Sequence, residues 1–263
     1  MNRVFGISVD GLALAEAAAR VIDLAFSDNF HYVVTPNADH ILNLSSDEDF
    51  RHAYNNASLT VADGWPVVVS GRLLGANIPE RVAGSDLVPA VLSLASRKGI
   101  SLSVFVLGGL GDVPERAARK ILREYPGVRI AGYMSPPFGF DGDPTLSAAV
   151  AETVASTRPN LIIVGLGSPK QEKWVHSQMD RLPPGVAVCA GATVDFMAGS
   201  VKRAPRWVAR IGLEWMYRTL QEPRRMFRRY ARVAIVFPWL LVREWSSRLG
   251  VKATNEIDRS PDA

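Results

Sequence analysis

Short apolar runs and longer amphipathic stretches alternate along most of this chain. The runs Tyr32–Val34, Leu59–Ala62, Val104–Leu107, Val128–Tyr133, Leu161–Val164 and Val186–Ala190 are rich in Val, Ile and Leu. Runs of this length and composition read as strands. Most stop at turn-forming residues: Thr35-Pro36-Asn37, Asp63-Gly64, Gly108-Gly109, Gly165-Leu166-Gly167 and Gly191-Ala192. Between them, apolar residues recur at helical spacing over Ala38–Phe50, Ser85–Lys98, Pro114–Tyr125, Thr145–Thr157 and Pro169–Met179. A further helix is expected over Leu12–Phe26, opened by Asp10 as N-cap. Strand, turn and helix in alternation predict an α/β fold with a mostly parallel sheet flanked by helices. In such sheets ligands bind beyond the carboxyl ends of the strands. All of these turns except the one after Tyr133 are assigned to that edge, so their polar residues are the site candidates.

The pattern changes near residue 200. From Lys202 to Arg232 the chain carries ten Lys or Arg against two acids, Glu214 and Glu222, a window of +8. The whole chain is +4, so the remainder is −4 and the basic charge is local. Arginines interleaved with tryptophans suit a polyanionic partner such as phosphate, a pyrophosphate lipid, a membrane surface or nucleic acid. The next apolar stretch, Val233–Val242, is interrupted by Pro238 and flanked by Arg232 and Arg243. It is too short for the roughly 20 residues of a membrane span. It suits either a helix lying at a membrane surface or one packed on the body or on another subunit. The expected organisation is an α/β body over residues 1–200, an Arg-rich helical appendage over 201–250 and a disordered tail over 251–263. The N-terminus lacks a signal-peptide core, its apolar residues being broken by Asp10, Glu16 and Arg20. The lone cysteine, Cys189, lies in a strand run and reads as core.

Each turn admits a chemical and a structural reading. Thr35 and Asn37 could hold sugar or phosphate oxygens, or form a turn and helix cap. Asp63, an acid at a strand's carboxyl end, suits a general base or a sugar ligand, and equally an Asx turn. Arg81 could pair with a carboxylate or clamp a phosphate, and Ser85 could cap the following helix. Gly108-Gly109-Leu110-Gly111 offers backbone N–H groups to a phosphate but is not a full dinucleotide fingerprint. Gly165-Leu166-Gly167-Ser168-Pro169-Lys170-Gln171-Glu172 predicts a helix capped by Ser168, whose exposed polar first turn faces a ligand. Asp141-Gly142-Asp143 has the spacing of a metal-binding DxD but sits among Pro and Gly, so it reads as a loop turn. The four His residues form no metal-ligand cluster.

Taken together, the stretches TPNADHIL, VADGWPVV, RVAGSDL, VFVLGG, VGLGSPKQEKW and GATVDFMAGSVKRAPRWVARIGLEWMYRTLQEPRRMFRRY resemble the WecG/TagA/CpsF family of bacterial glycosyltransferases. They span Tyr32 to Tyr230 in order. The resemblance implies a Rossmann-like body and a C-terminal appendage that brings the enzyme to the membrane. It implies an inverting, metal-independent transfer of an N-acetylmannosamine-type sugar from a UDP-sugar to an undecaprenyl-diphosphate-linked sugar. The product would serve teichoic acid, capsule, common antigen or exopolysaccharide synthesis. Asp63 matches the proposed base, and Thr35, Asn37, Arg81 and Gln171 match motif positions at the substrate site. Arg218, Arg225 and Arg228 match the appendage arginines implicated near the lipid diphosphate. Trp65-Pro66 departs from the family pattern, where many members carry a small residue and Gly, a difference that bears on the shape of the donor pocket and leaves the donor's identity open.

The chemistry is compatible with that resemblance. Inverting transfer needs one base for the acceptor hydroxyl, and UDP needs its growing charge stabilised. Without a metal motif, arginines and backbone N–H groups would do this. The expectation is therefore no cofactor, a UDP-sugar donor, a polyprenyl-diphosphate-linked acceptor and an anionic membrane surface as partners. It also includes a possible homo-oligomer and a cytoplasmic location, peripheral on the inner face of the membrane. Two other classes compete. A nucleic-acid-binding protein would leave the acid-bearing turns idle and predicts strongly salt-dependent binding. A nicotinamide-dependent enzyme is disfavoured by the incomplete glycine pattern.

Overall fold

A computed structural model describes residues 2–205, 208, 214–221 and 223–257. Six strands form one parallel sheet: β3 (Phe30–Val34), β4 (Leu59–Thr60), β5 (Ser103–Gly108), β6 (Arg129–Met134), β7 (Leu161–Gly165) and β8 (Gly185–Cys189). Their order is β4-β3-β8-β7-β5-β6. The first pair runs outward to one edge, β5 and β6 run to the other, and β7 and β8 fill the centre. Apolar side chains point to both faces in alternation. On β7, Ile162 and Val164 enter one core while Leu161 and Ile163 enter the other. That two-sided burial is why the strand sequences are continuous apolar runs rather than alternating ones.

One layer of helices comprises α1 (Leu14–Ala25), α5 (Gly84–Lys98), α6 (Val113–Glu124) and α9 (Thr193–Ala198). The other comprises α2 (Ala38–Leu44), α3 (Glu48–Asn55), α4 (Trp65–Leu73), α7 (Pro144–Ser156) and α8 (Lys170–Ser177). The single helix expected over Ala38–Phe50 is two, because Asp47 caps α3 by accepting from the Phe50 N–H at 2.9 Å. Asp10 does not cap α1, whose cap position is Ala13. Its carboxylate instead accepts the Thr60 N–H at 2.8 Å, and so ties the N-terminal segment to the edge strand β4. Ser85 lies inside α5, whose cap position is Ala83.

The sequence reading also lacked a hairpin, β1 (Asn2–Val4) and β2 (Ile7–Val9). Its turn places Phe5 at φ 51° and Gly6 at φ 80°. Phe5 tolerates this left-handed geometry with its ring packed against Phe237, centroids 5.4 Å apart. Phe237 belongs to the long C-terminal helix α11 (Pro223–Ile257), which follows α10 (Glu214–Gln221). Phe237 and Leu240 are buried in the same core as β1 and α2, while Ile235, Trp239, Val242 and Trp245 on α11 are exposed. The stretch 233–242 is thus two-faced: one side packs on the body and the other is open. Arg248 locks the far end, donating to the carbonyls of Leu74 (2.6 Å) and Arg3. Leu240→Ala is expected to cost about 2 kcal/mol, the low end for a buried leucine because a surface helix can relax. Urea unfolding measures this. Of the tail expected to be disordered, residues through Ile257 belong to α11 and 258–263 lie outside the described residues.

Candidate active site

All six strand-to-helix loops at the carboxyl edge line one cleft of about 1010 Å³. This includes the loop after β6, which contributes Pro136, Pro137, Phe138 and Asp141. The turn after Tyr133, expected away from that edge, belongs to it: β6 pairs parallel to β5, so its loop leaves from the same edge. The cleft collects Thr35, Asn37, Asp63, Arg81, Gly109, Gly165, Gly167 and Gln171 from positions spread over more than half the chain.

Asn37 has both a structural role and a place in the wall. Its Oδ1 accepts the N–H groups of Asp39 (3.0 Å) and His40 (3.2 Å), capping α2 at the lip of the cleft. Thr35 is buried beside it. Asp63 follows β4, its own N–H held by the Pro36 carbonyl at 2.9 Å. Gly64 next to it takes φ 90°, a geometry a side chain would strain, and starts α4. Arg81 Nη1 lies 3.4 Å from Asp63 Oδ1, and its Nη2 donates to Asp86 Oδ2 at 3.0 Å. Asp86 Oδ1 in turn accepts from Arg203 Nη2 at 2.5 Å. A guanidinium beside Asp63 helps to orient its carboxylate.

Two expected ligand groups are used within the fold. Gly108 is not among the cleft-lining residues. It takes φ 116°, and a Cβ there would sit 2.4 Å from the Gly165 carbonyl oxygen, so it permits two strand ends to approach. The Gly109 N–H donates to that same carbonyl at 3.3 Å rather than being left for a phosphate. Ser168 does not cap α8, whose cap position is Pro169. Nor is the first turn of α8 exposed throughout. Lys170 is exposed, but Gln171 is 2% and Glu172 0% exposed. Gln171 bridges two loops: its Oε1 accepts the Gly191 N–H at 3.1 Å and its Nε2 donates to Glu172 Oε1 at 2.8 Å.

Burial pushes the Glu172 carboxyl up to about 7, with weaker opposing pulls from Gln171, its own N–H and Ser168. The Ser168 hydroxyl is near but not in hydrogen-bonding geometry, since neither Ser168 Oγ nor Glu172 Oε2 meets a partner. Cys189 is buried in β8, and burial together with Glu172 pushes its thiol well up, as suits a core residue.

Residues to which the sequence pattern assigns no role also face the cleft. His40 lies in the first turn of α2, its Nδ1 2.6 Å from the buried Tyr54 hydroxyl. Asp195 lies in the first turn of α9. The signal available for both was their position just past a strand-end turn. Tyr230, Val233 and Ala234 of α11 close the wall. Arg228 on this helix is exposed, and the side chains of Arg218 and Arg225 lie outside the described residues. Asp143 caps α7 through the N–H groups of Thr145 and Leu146, and Asp141 pairs with Lys170 at 3.2 Å. Among the described residues no group of three or more His, Cys, Asp and Glu could hold a metal ion.

A parallel sheet with a polar cleft at its carboxyl edge, where a strand-end carboxylate is paired with an arginine, defines an α/β enzyme. The comparisons narrow that class. The model of the glycosyl transferase WecG/TagA/CpsF family matches residues 2–250, and the chain belongs to that family. A Bacillus subtilis protein named N-acetylglucosaminyldiphosphoundecaprenol N-acetyl-beta-D-mannosaminyltransferase is 35% identical over 177 residues, 67% of this chain and 66% of that protein. The matched stretch is just under two thirds of that relative's length. A Bacillus spizizenii protein of the same name is 33% identical over 194 residues, 74% of this chain and 72% of its own. One from Staphylococcus aureus strain MW2 is 29% identical over 205 residues, covering 77% and 76%.

Proposed function

We propose that this glycosyltransferase moves an N-acetylmannosamine-type sugar from a UDP-sugar to an N-acetylglucosamine carried on undecaprenyl diphosphate, with inversion. The product would enter a cell-surface polysaccharide or teichoic acid. The observation that carries this reading is Asp63, placed by β4 in the cleft and paired with Arg81. In one displacement, Asp63 takes the proton of the acceptor hydroxyl as its oxygen attacks the anomeric carbon. The bond to UDP breaks on the opposite face. The leaving diphosphate is stabilised by arginines, Arg218, Arg225 and Arg228 among them, with no metal or other cofactor. Relatives named for a diphosphoundecaprenol acceptor support the choice of lipid.

The acceptor's lipid tail requires the cleft to meet a membrane. Among the described residues no helix is long and apolar enough to cross one. The open face of α11 suits surface contact instead. Trp239 is exposed with Arg243 stacked 5.6 Å from its ring centroid, next to Ile235 and Val242. This helix also lines the cleft, so anchoring it would bring the site to the lipid headgroups on the cytoplasmic face.

The test is UDP release from a panel of UDP-sugars, with and without an undecaprenyl-diphosphate-N-acetylglucosamine analogue. Acceptor-dependent release with one donor is expected. Release that ignores the acceptor would remove the transfer reading. EDTA is expected to leave the rate unchanged. Loss of activity restored by Mn²⁺ would assign a metal role that the reading excludes.

A further inference from the structure

Asp63, Arg81, Asp86 and Arg203 form a chain of alternating charge, 3.4, 3.0 and 2.5 Å from link to link. The three links are unequal in kind. The Arg81–Asp63 contact is the longest of the three, with Arg81 Nη1 donating to Asp63 Oδ1. The Arg81–Asp86 contact has ordinary charge-assisted geometry, so Asp86 fixes where the guanidinium sits. Asp86 is itself held from the far side, because Arg203 donates to its other carboxylate oxygen and to the Ser85 carbonyl at 3.2 Å. All four side chains are partly buried, between 15% and 32% exposed, where such contacts are less screened than on an open surface. Arg203 stands at the root of the basic C-terminal segment, and Asp86 in the first turn of α5 beside the cleft.

We propose that Asp86 is a positioning residue through which Arg203 holds Arg81, and so the orientation of Asp63. The inference rests on the reading of Asp63 as base and names a device that the reading does not require. Its consequence is that donor can bind whether or not the chain of charges is closed, while the acceptor hydroxyl loses its proton efficiently only when it is.

The test uses the full chain with Arg203→Ala, Arg203→Lys, Asp86→Asn, the Arg203→Ala/Asp86→Asn double variant and Asp63→Asn. kcat and donor KM are read from UDP release with the lipid-linked acceptor analogue, and folding from thermal melting. Arg203→Ala and Asp86→Asn are each expected to lower kcat on the order of tenfold, the scale of a misplaced catalytic group. Donor KM is expected to change by less than about twofold, since Arg81 is retained and neither Asp86 nor Arg203 lines the cleft. Arg203→Lys keeps the charge and is expected to recover most of the loss. The double variant is expected to be no slower than the slower single, because both break one linkage.

Wild-type kcat in Arg203→Ala and Asp86→Asn, with Asp63→Asn inactive, overturns the inference and leaves the base reading standing. A raised KM at constant kcat, or additive losses in the double variant, also overturns it, assigning binding or independent roles instead. Wild-type turnover in Asp63→Asn removes the base reading, and the inference with it. If Asp86→Asn does not fold, Arg203→Ala and Arg203→Lys decide the matter, because Arg203 is one-third exposed.

Discussion

Asp63→Asn is expected to lower kcat by about 10²–10⁴-fold, the span attributed to a positioned general base. The substitution keeps the shape of the side chain and an oxygen that can still accept from Arg81, while removing the site that takes the proton. Donor affinity is expected to stay close to wild type, because Asp63 contributes to the donor pocket mainly as wall. The separation matters more than the size of the loss. An interaction used only at the transition state lowers kcat and kcat/KM together. A residue that merely held the cleft open would raise KM. Turnover by UDP release and donor binding by calorimetry read the two effects independently. Full turnover in the variant would take the base assignment away from Asp63 and return the search to the other cleft acids, Asp39, Asp141 and Asp195.

That a single carboxylate suffices follows from the stereochemistry proposed for the transfer. One displacement needs one base and no covalent intermediate. The harder demand is the charge that gathers on the departing diphosphate, and the +8 window from Lys202 to Arg232 can meet it without a metal ion. The same concentration of cations suits the lipid diphosphate and an anionic surface. One basic segment can therefore serve the acceptor, the leaving group and the membrane, provided that it is held against the body. Phe237, Leu240 and Arg248 supply that hold.

What was legible in the sequence is what local patterning decides. The strands inside the sheet are apolar runs because both faces are covered, whereas the edge strand β6 is only partly covered, and turns at the strand ends marked the cleft. Two kinds of feature escaped. Elements too short or too evenly apolar for periodicity were invisible: the three-residue strands of the N-terminal hairpin, and α4, whose Val67-Val68-Val69 reads as neither strand nor amphipathic helix. Partners distant in sequence also overrode local expectation. Asp10 resembles a helix cap, yet its acceptor was claimed by Thr60, fifty residues on. Gly108 resembles a phosphate turn, yet its missing side chain accommodates Gly165. Strand order has no local signature at all, because β7 and β8 enter the centre only after the edges exist. Glu172 illustrates the same limit within the site. In sequence it is one of three polar residues opening a helix; in the fold it is wholly enclosed.

That enclosure predicts the second large effect. The folded protein holds the Glu172 proton up to about pH 7, whereas an ordinary glutamate releases it near 4.5. Below about 4.5 both states are protonated, and the group does not make stability depend on pH. Between about 4.5 and 7 the unfolded chain ionises while the folded one stays neutral, so stability falls as pH rises. Above 7 both are ionised and the loss is complete. The gap corresponds to about 3 kcal/mol of stability lost across that window. The carboxylate cannot relieve this cost locally, because only Oε1 is bonded, to Gln171, and Oε2 meets no partner.

Glu172→Gln is neutral at every pH and can still accept from Gln171. Its unfolding free energy is therefore expected to fall less between pH 4.5 and 8 than that of the wild type, by about 3 kcal/mol. The buried amide, short of one partner, is expected to cost about 1–3 kcal/mol at all pH values alike. It offsets the gain at pH 8 without altering the slope. The neighbouring Cys189 and Tyr54 are both pushed upward and titrate above this window, so they leave the comparison undisturbed. Urea unfolding of both proteins at pH 4.5, 6 and 8 reads the difference directly. Parallel curves would mean that Glu172 ionises in the folded protein as readily as in water, and that the enclosure of the α8 first turn is not as described.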